Sequence, residues 1–119
     1  MDSFLQDTIN KNGFVVPVSI ADKLHVSIKD IAFSTGLDAS SLENESLIQT
    51  DPIQKRLKEM IDILDKTISW SNNVNQAYVW YQSVSLPSFG KLTAMDLVKQ
   101  GKASAVIQYL ERTDKGGFC

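Results

Sequence analysis

Residues 50–68 read TDPIQKRLKEMIDILDKTI. Within this stretch Ile53, Leu57, Met60, Ile61, Leu64 and Ile68 recur mostly at spacings of three and four. That spacing lines them along one face of an α-helix, because a turn takes 3.6 residues. The stretch therefore predicts an amphipathic helix of about four turns. Its start is marked by Thr50-Asp51-Pro52. Asp51 or Thr50 can cap the free amide groups, and Pro52 suits a first helical position, where no donor is needed.

Working outward, shorter helices follow from the same signals. Upstream, Gly13 to Pro17 is a short apolar run ended by proline, either extended or a core-filling loop. Ser19 is placed to cap a helix through Leu24, and Ser27 a second with Ile28, Ile31 and Ala32 on one face. Gly36 stops that helix, and Asp38 or Ala39 begins a third that carries Leu42. Downstream, Ser71-Asn72-Asn73 breaks the long helix before the aromatic-rich run from Val74 to Gln82. Pro87 and Gly90 mark a loop, and Thr93, with Asp96 three residues on, caps a short helix through Val98. Gly101 interrupts; Ala103, Val106, Ile107 and Leu110 form a last helical stripe, which Gly101 is expected to let cross closely. No alternation suits a sheet, so the chain is predicted to be all-α, with an N-terminal unit at 1–49 packed on a C-terminal helical domain at 50–119.

Charge divides at the same place. Residues 1–50 carry three basic and seven acidic side chains, a balance of −4, whereas residues 51–119 carry nine and seven, a balance of +2. The net charge of −2 disfavours indiscriminate binding to nucleic acid or acidic membranes. No window approaches the roughly 18–20 apolar residues of a membrane span. The opening MDSFLQDTIN lacks the basic-then-apolar layout of a signal peptide. A cytoplasmic protein is the expectation. With one Cys and one His, neither an internal disulfide nor a zinc site built from cysteines and histidines can form. No phosphate-cradling glycine loop and no acid/base dyad is present, so the sequence predicts neither an enzyme nor a cofactor or metal site.

In residues 27–47 the order Ala32, Gly36, Leu42 has offsets of four and six. A helix-turn-helix needs those types there: a small residue where the helices pass closely, glycine at the turn, an apolar anchor in the second helix. Its recognition helix would span about Ala39 to Ser46, with Ser40, Ser41, Glu43, Asn44 and Glu45 facing outward. Lys29, Ser40, Ser41 and Asn44 are the candidate DNA contacts. The helix itself holds two glutamates and no Lys or Arg, although phosphate contacts supply most of the affinity of such a unit. A DNA-binding regulator is thus an alternative reading that needs charge from a dimer or a basic partner.

The C-terminal half carries a resemblance. Trp80 closes a helix; a loop then ends in Pro87-Ser88-Phe89-Gly90, followed by Thr93-Ala94-Met95-Asp96-Leu97. Gly101, a small residue, Val106 and Leu110 come next, and the order ends in Gly116-Gly117-Phe118. This order is similar to the toxin-binding domain of the Xre/MbcA/ParS antitoxin family over about residues 50–119, and the family's upstream helix-turn-helix fits residues 19–47. The resemblance implies an antitoxin of a type II toxin–antitoxin system. Its partner would be a cognate RES-domain toxin, an enzyme that consumes NAD, whose active-site cleft receives the antitoxin's C-terminal segment. It also implies a homodimer and repression of the protein's own operon. The toxin-contacting residues on this reading are Trp80, Tyr81, Phe89, Lys91, Arg112, Lys115, Gly116, Gly117, Phe118 and Cys119. A Gly-Gly hinge bearing Phe118 suits a plug, and a terminal carboxylate is expected to pair with arginines that hold NAD phosphates.

Other residues carry plainer expectations. His25 follows a helix end, where a cation suits the dipole. Asp62 and Asp65 lie on the polar side of the long helix as a solvated pair. Asn44-Glu45-Ser46 matches a glycosylation acceptor only as a common triplet. Cys119 is expected to be an exposed thiol prone to accidental intermolecular disulfides.

Overall fold

The apolar stripe of residues 53–68 lies in one long helix. In the computed structural model, which describes residues 8–10, 12–71, 73–86 and 89–115 (side chains excepted at 69–71 and 113–115), that helix is Asp51–Ser71. It runs for 21 residues, about six turns rather than four. The stripe is also wider than the spacing suggested, since Ile63 is fully buried alongside Leu57, Met60, Ile61 and Leu64. A helix flanked on more than one side buries more than one stripe, and this one has neighbours from both halves of the chain.

The helices in chain order are α1 (Pro17–Leu24), α2 (Ile28–Thr35), α3 (Ala39–Leu42), α4 (Glu45–Ile48), α5 (Asp51–Ser71), α6 (Val74–Ser83), α7 (Ala94–Lys99) and α8 (Ala103–Lys115). Among the described residues there is no strand, only isolated bridges pairing Ile9 with Val15 and Ser85 with Thr93. The protein is all-α. No described helix is long and apolar enough to cross a membrane.

Local chemistry sets the helix ends. Ser27 and Asp30 form a reciprocal capping box on α2, and Thr93 and Asp96 form another on α7. Each satisfies two orphan amides and turns its carboxylate back onto the helix start. Gly36 ends α2 in the left-handed region (φ 74°), which suits a residue without a Cβ. Asn73 caps α6 through hydrogen bonds from the amides of Asn75 and Gln76. Ser19 does not cap α1. That helix begins ahead of it at Pro17, whose ring presets the helical φ and needs no donor. Thr50 does not use its hydroxyl as a forward cap either, because it donates back to the Leu47 carbonyl at 2.6 Å.

One core joins both halves. Ile20, Leu24, Ile31 and Leu42 from the first half share a buried cluster with Leu57, Met60, Tyr81, Leu97, Val106 and Leu110 from the second. Polar groups at the seam are paired. The Tyr81 hydroxyl donates to the Ser34 carbonyl at 2.8 Å, the Ser34 and Tyr78 hydroxyls meet at 2.7 Å, and Arg56 Nη1 donates to the Thr35 carbonyl at 2.6 Å. The run before α1 is a core-filling loop. Val15 is fully buried, and Gln54 of α5 holds it at both backbone atoms, accepting from its N–H (2.8 Å) and donating to its C=O (3.0 Å). The radius of gyration, 13.7 Å, agrees with about 13.5 Å for a single domain of this length.

Candidate partner-binding surface

The loop 85–93 is pinned at both ends. The Leu86 amide donates to the Leu92 carbonyl at 2.9 Å, the Ser85 hydroxyl donates to the Lys91 carbonyl, and Gly90 takes the left-handed turn at φ 70°. Leu86 points into the core. Phe89 is half-buried and meets the ring of Tyr109 on α8 edge-on, with centroids 6.4 Å apart at 69°, a favoured aromatic geometry. Tyr109 and Arg112 are three residues apart, so they share a side of α8. The loop therefore meets α8 at Tyr109, near the middle of the helix, and Lys91 and Arg112 are both exposed.

Of the residues the sequence singled out, the structure brings Phe89 to α8 and leaves Lys91 and Arg112 in solvent. Trp80 is half-buried on α6. Tyr81 belongs to the core: at 0% exposure, with its hydroxyl committed to Ser34, it offers a partner nothing. Burial raises its phenol pKa above the usual range, with the neighbouring Tyr78 phenol adding to the effect, while Arg56 opposes and Glu59 reinforces it. Tyr78 is raised as well, burial outweighing its hydrogen bond to Ser34. Lys115 closes α8, and Gly116, Gly117, Phe118 and Cys119 lie outside the described residues. Pro87, quoted for the loop, lies outside them too.

Tyr109 was not singled out from sequence; its position three residues before Arg112 was the available signal. A second signal is an absence of charge. From Thr67 to Gly90 there is no Asp, Glu, Lys, Arg or His. Within that run α6 turns Asn75, Gln76 and Val79 outward, and Val84 just beyond it is exposed. Uncharged, aromatic-bearing surface is the composition that marks interface centres.

The expected recognition helix is not continuous. Residues 39–48 form two separate single turns, α3 and α4, because the Asn44 side chain caps the second by accepting from the Leu47 amide at 3.2 Å. That bond also occupies the side-chain oxygen of one candidate DNA contact. Ser40 and Lys29 are exposed and Ser41 is half-buried.

His25 closes α1 in the left-handed conformation (φ 59°) with an exposed side chain, and its backbone N–H faces the Ala21 and Asp22 carbonyls. Asp62 pairs with Lys66 at 3.1 Å. Among the described residues no three His, Cys, Asp or Glu side chains are grouped to hold a metal. Gly101 does not serve a close crossing. A Cβ there would meet nothing within 4 Å, and its requirement is the positive φ of 79°. The close approach falls instead at Gly36, where a Cβ would stand 3.3 Å from Arg56 Nη1 and 3.4 Å from the Lys99 Cα. Comparison with family models, with curated proteins and with solved structures finds no match for this chain.

Proposed function

We propose that the protein is a stoichiometric inhibitor, an antitoxin that binds a RES-domain toxin and occludes its NAD-consuming active site with residues 116–119. The observation that carries the reading is the arrangement of loop 85–93 against α8. It brings Phe89 against Tyr109 on the helix that leads into Gly116, with Lys91 and Arg112 exposed on the loop and the helix respectively. In a cleft lined by arginines for phosphate, the group that fits is the terminal carboxylate, while the cations Lys91 and Arg112 suit acidic surface outside it. The two glycines then allow Phe118 to enter without a helix behind it. The protein acts in the cytoplasm, with no cofactor of its own.

The test is co-expression with an adjacent RES-domain reading frame, followed by co-purification and an NAD-depletion assay. The full chain should block depletion, and a chain ending at Lys115 should bind but fail to block it. Full inhibition by the shortened chain would remove the plug; failure of the full chain to co-purify would remove the partner.

The alternative is a DNA-binding regulator without a toxin partner. It draws on the Ala32, Gly36, Leu42 frame, which the α2–Gly36–α3 corner preserves. It stands second because α3 and α4 are single turns without a cation. Salt-dependent retention of the chain's own upstream DNA would reverse that order.

A further inference from the structure

Six asparagines occur in the sequence, and one of them, Asn12, is followed by glycine. The Asn12–Gly13 pair stands at the tip of the turn whose flanks, Ile9 and Val15, bridge each other. Both residues of the pair are exposed. Gly13 sits at φ 85°, and a Cβ there would meet nothing within 4 Å. Among the described residues no hydrogen bond holds the Asn12 side chain. A carboxamide free to rotate therefore precedes a backbone nitrogen that no side chain screens.

Asn10 holds this turn closed. Its side-chain Oδ1 accepts from the amides of Asn12 at 2.9 Å and Phe14 at 3.0 Å. Its carbonyl accepts from the Gly13 amide at 3.0 Å, and its own amide donates to the Phe14 carbonyl at 2.9 Å. The Gly13 nitrogen is thus engaged in the closed turn and released when the turn opens. A solvent-exposed turn held by a few local bonds opens at low cost, far below that of global unfolding.

We propose that Asn12 is a site of spontaneous deamidation and that Asn10 sets its rate. In the open turn the Gly13 nitrogen gives its proton to solvent base and attacks the Asn12 Cγ. The N–Cγ bond forms, the Cγ–Nδ2 bond breaks, and Nδ2 leaves as ammonia after taking a proton from solvent. Water then opens the cyclic succinimide at either of its carbonyls. Opening at Cγ leaves an aspartate, and opening at the backbone carbonyl leaves an isoaspartate, whose main chain runs through the former side chain. Either product lowers the net charge of −2 by one. The isoaspartate also lengthens the main chain by one atom inside the turn, so the bonds to Asn10 no longer close it. Val15, just beyond, stays anchored by Gln54, which confines the change to the tip. The reaction needs only water and is independent of any toxin partner.

Incubating the full chain at mildly alkaline pH in water labelled with heavy oxygen tests both parts, with peptide mapping at intervals. Label should enter at position 12 ahead of every other asparagine, with isoaspartate among the products as the mark of the cyclic route. A more acidic species should accumulate in step, and Asn12→Gln should remove it. Asn10→Ala deletes the acceptor of two amides at an exposed position and should speed conversion by about fivefold or more. Asn10→Asp keeps an acceptor oxygen there and should stay near the wild-type rate. Far-UV circular dichroism checks that each variant is folded. Asn12 intact while Asn44 or Asn75 has converted, or aspartate at position 12 without isoaspartate, would overturn the site. An Asn10→Ala rate equal to wild type, or an Asn10→Asp rate equal to that of Asn10→Ala, would overturn the role of Asn10.

Discussion

The Tyr81 hydroxyl donates to the Ser34 carbonyl at 2.8 Å across 47 residues of sequence. A side chain of α6 thereby satisfies a carbonyl in the last turn of α2, while Arg56 of α5 satisfies the next one at Thr35. The C-terminal end of α2 is closed by the other half of the chain, and the two halves share one core.

Replacing Tyr81 by Phe keeps the ring in the core and leaves the Ser34 carbonyl without that donor. Stability should fall by about 1–2 kcal/mol, read as a lower urea midpoint at unchanged slope. A lower slope would instead mean that the halves uncouple.

The same pair of phenols sets an alkaline limit. Tyr78 and Tyr81 are both raised from the ordinary value of 10.0, so the folded protein favours the protonated phenol. Their contribution is complete below pH 10 and is lost as pH rises through the folded-state values. Urea midpoints measured from pH 8 to about 11.5 should decline above 10. The Tyr78→Phe/Tyr81→Phe chain should decline less steeply, and identical slopes would show that other groups control the transition.

Gln54 holds Val15 at both backbone atoms and also donates to the Ile48 carbonyl at 2.9 Å. Gln54→Leu conserves bulk but strands a buried N–H and two carbonyls. A loss of about 2–4 kcal/mol is expected, together with faster amide exchange at Val15. Slow exchange there in the variant would show that the N-terminal loop is held by packing alone.

The four described glycines are not equivalent. Gly101→Ala carries only the strain of positive φ, about 1 kcal/mol, because a Cβ meets open space there. Gly36→Ala adds contacts at 3.3 Å with Arg56 and Lys99 and should cost more, about 2 kcal/mol or above. Thermal melts of the two variants compare them directly, and equal losses would place the crowding elsewhere.

Much of the helical fold was legible because it depends on local spacing. The stripe through Ile53 and Ile68, the stops at Gly36 and Gly101, and the Thr93–Asp96 box all act over a few residues. Two local readings went astray for local reasons. Pro17 started α1 ahead of Ser19, and the Asn44 cap divides the span from Ala39 to Ser46 that was read as one helix. The candidate surface was harder to read, because Phe89 and Tyr109 meet only once loop and helix are folded together.

The sequence by itself determined the helical class, most helix ends and the charge contrast between halves, since backbone capping and apolar periodicity are short-range. Tertiary structure alone decided which apolar faces are covered. It buried Ile63 and Tyr81, left Phe33 and Leu47 in solvent, and tied Ser34 to Tyr81 and Val15 to Gln54. Burial and long-range hydrogen bonds depend on which helix faces which, and no spacing within one helix encodes its neighbour.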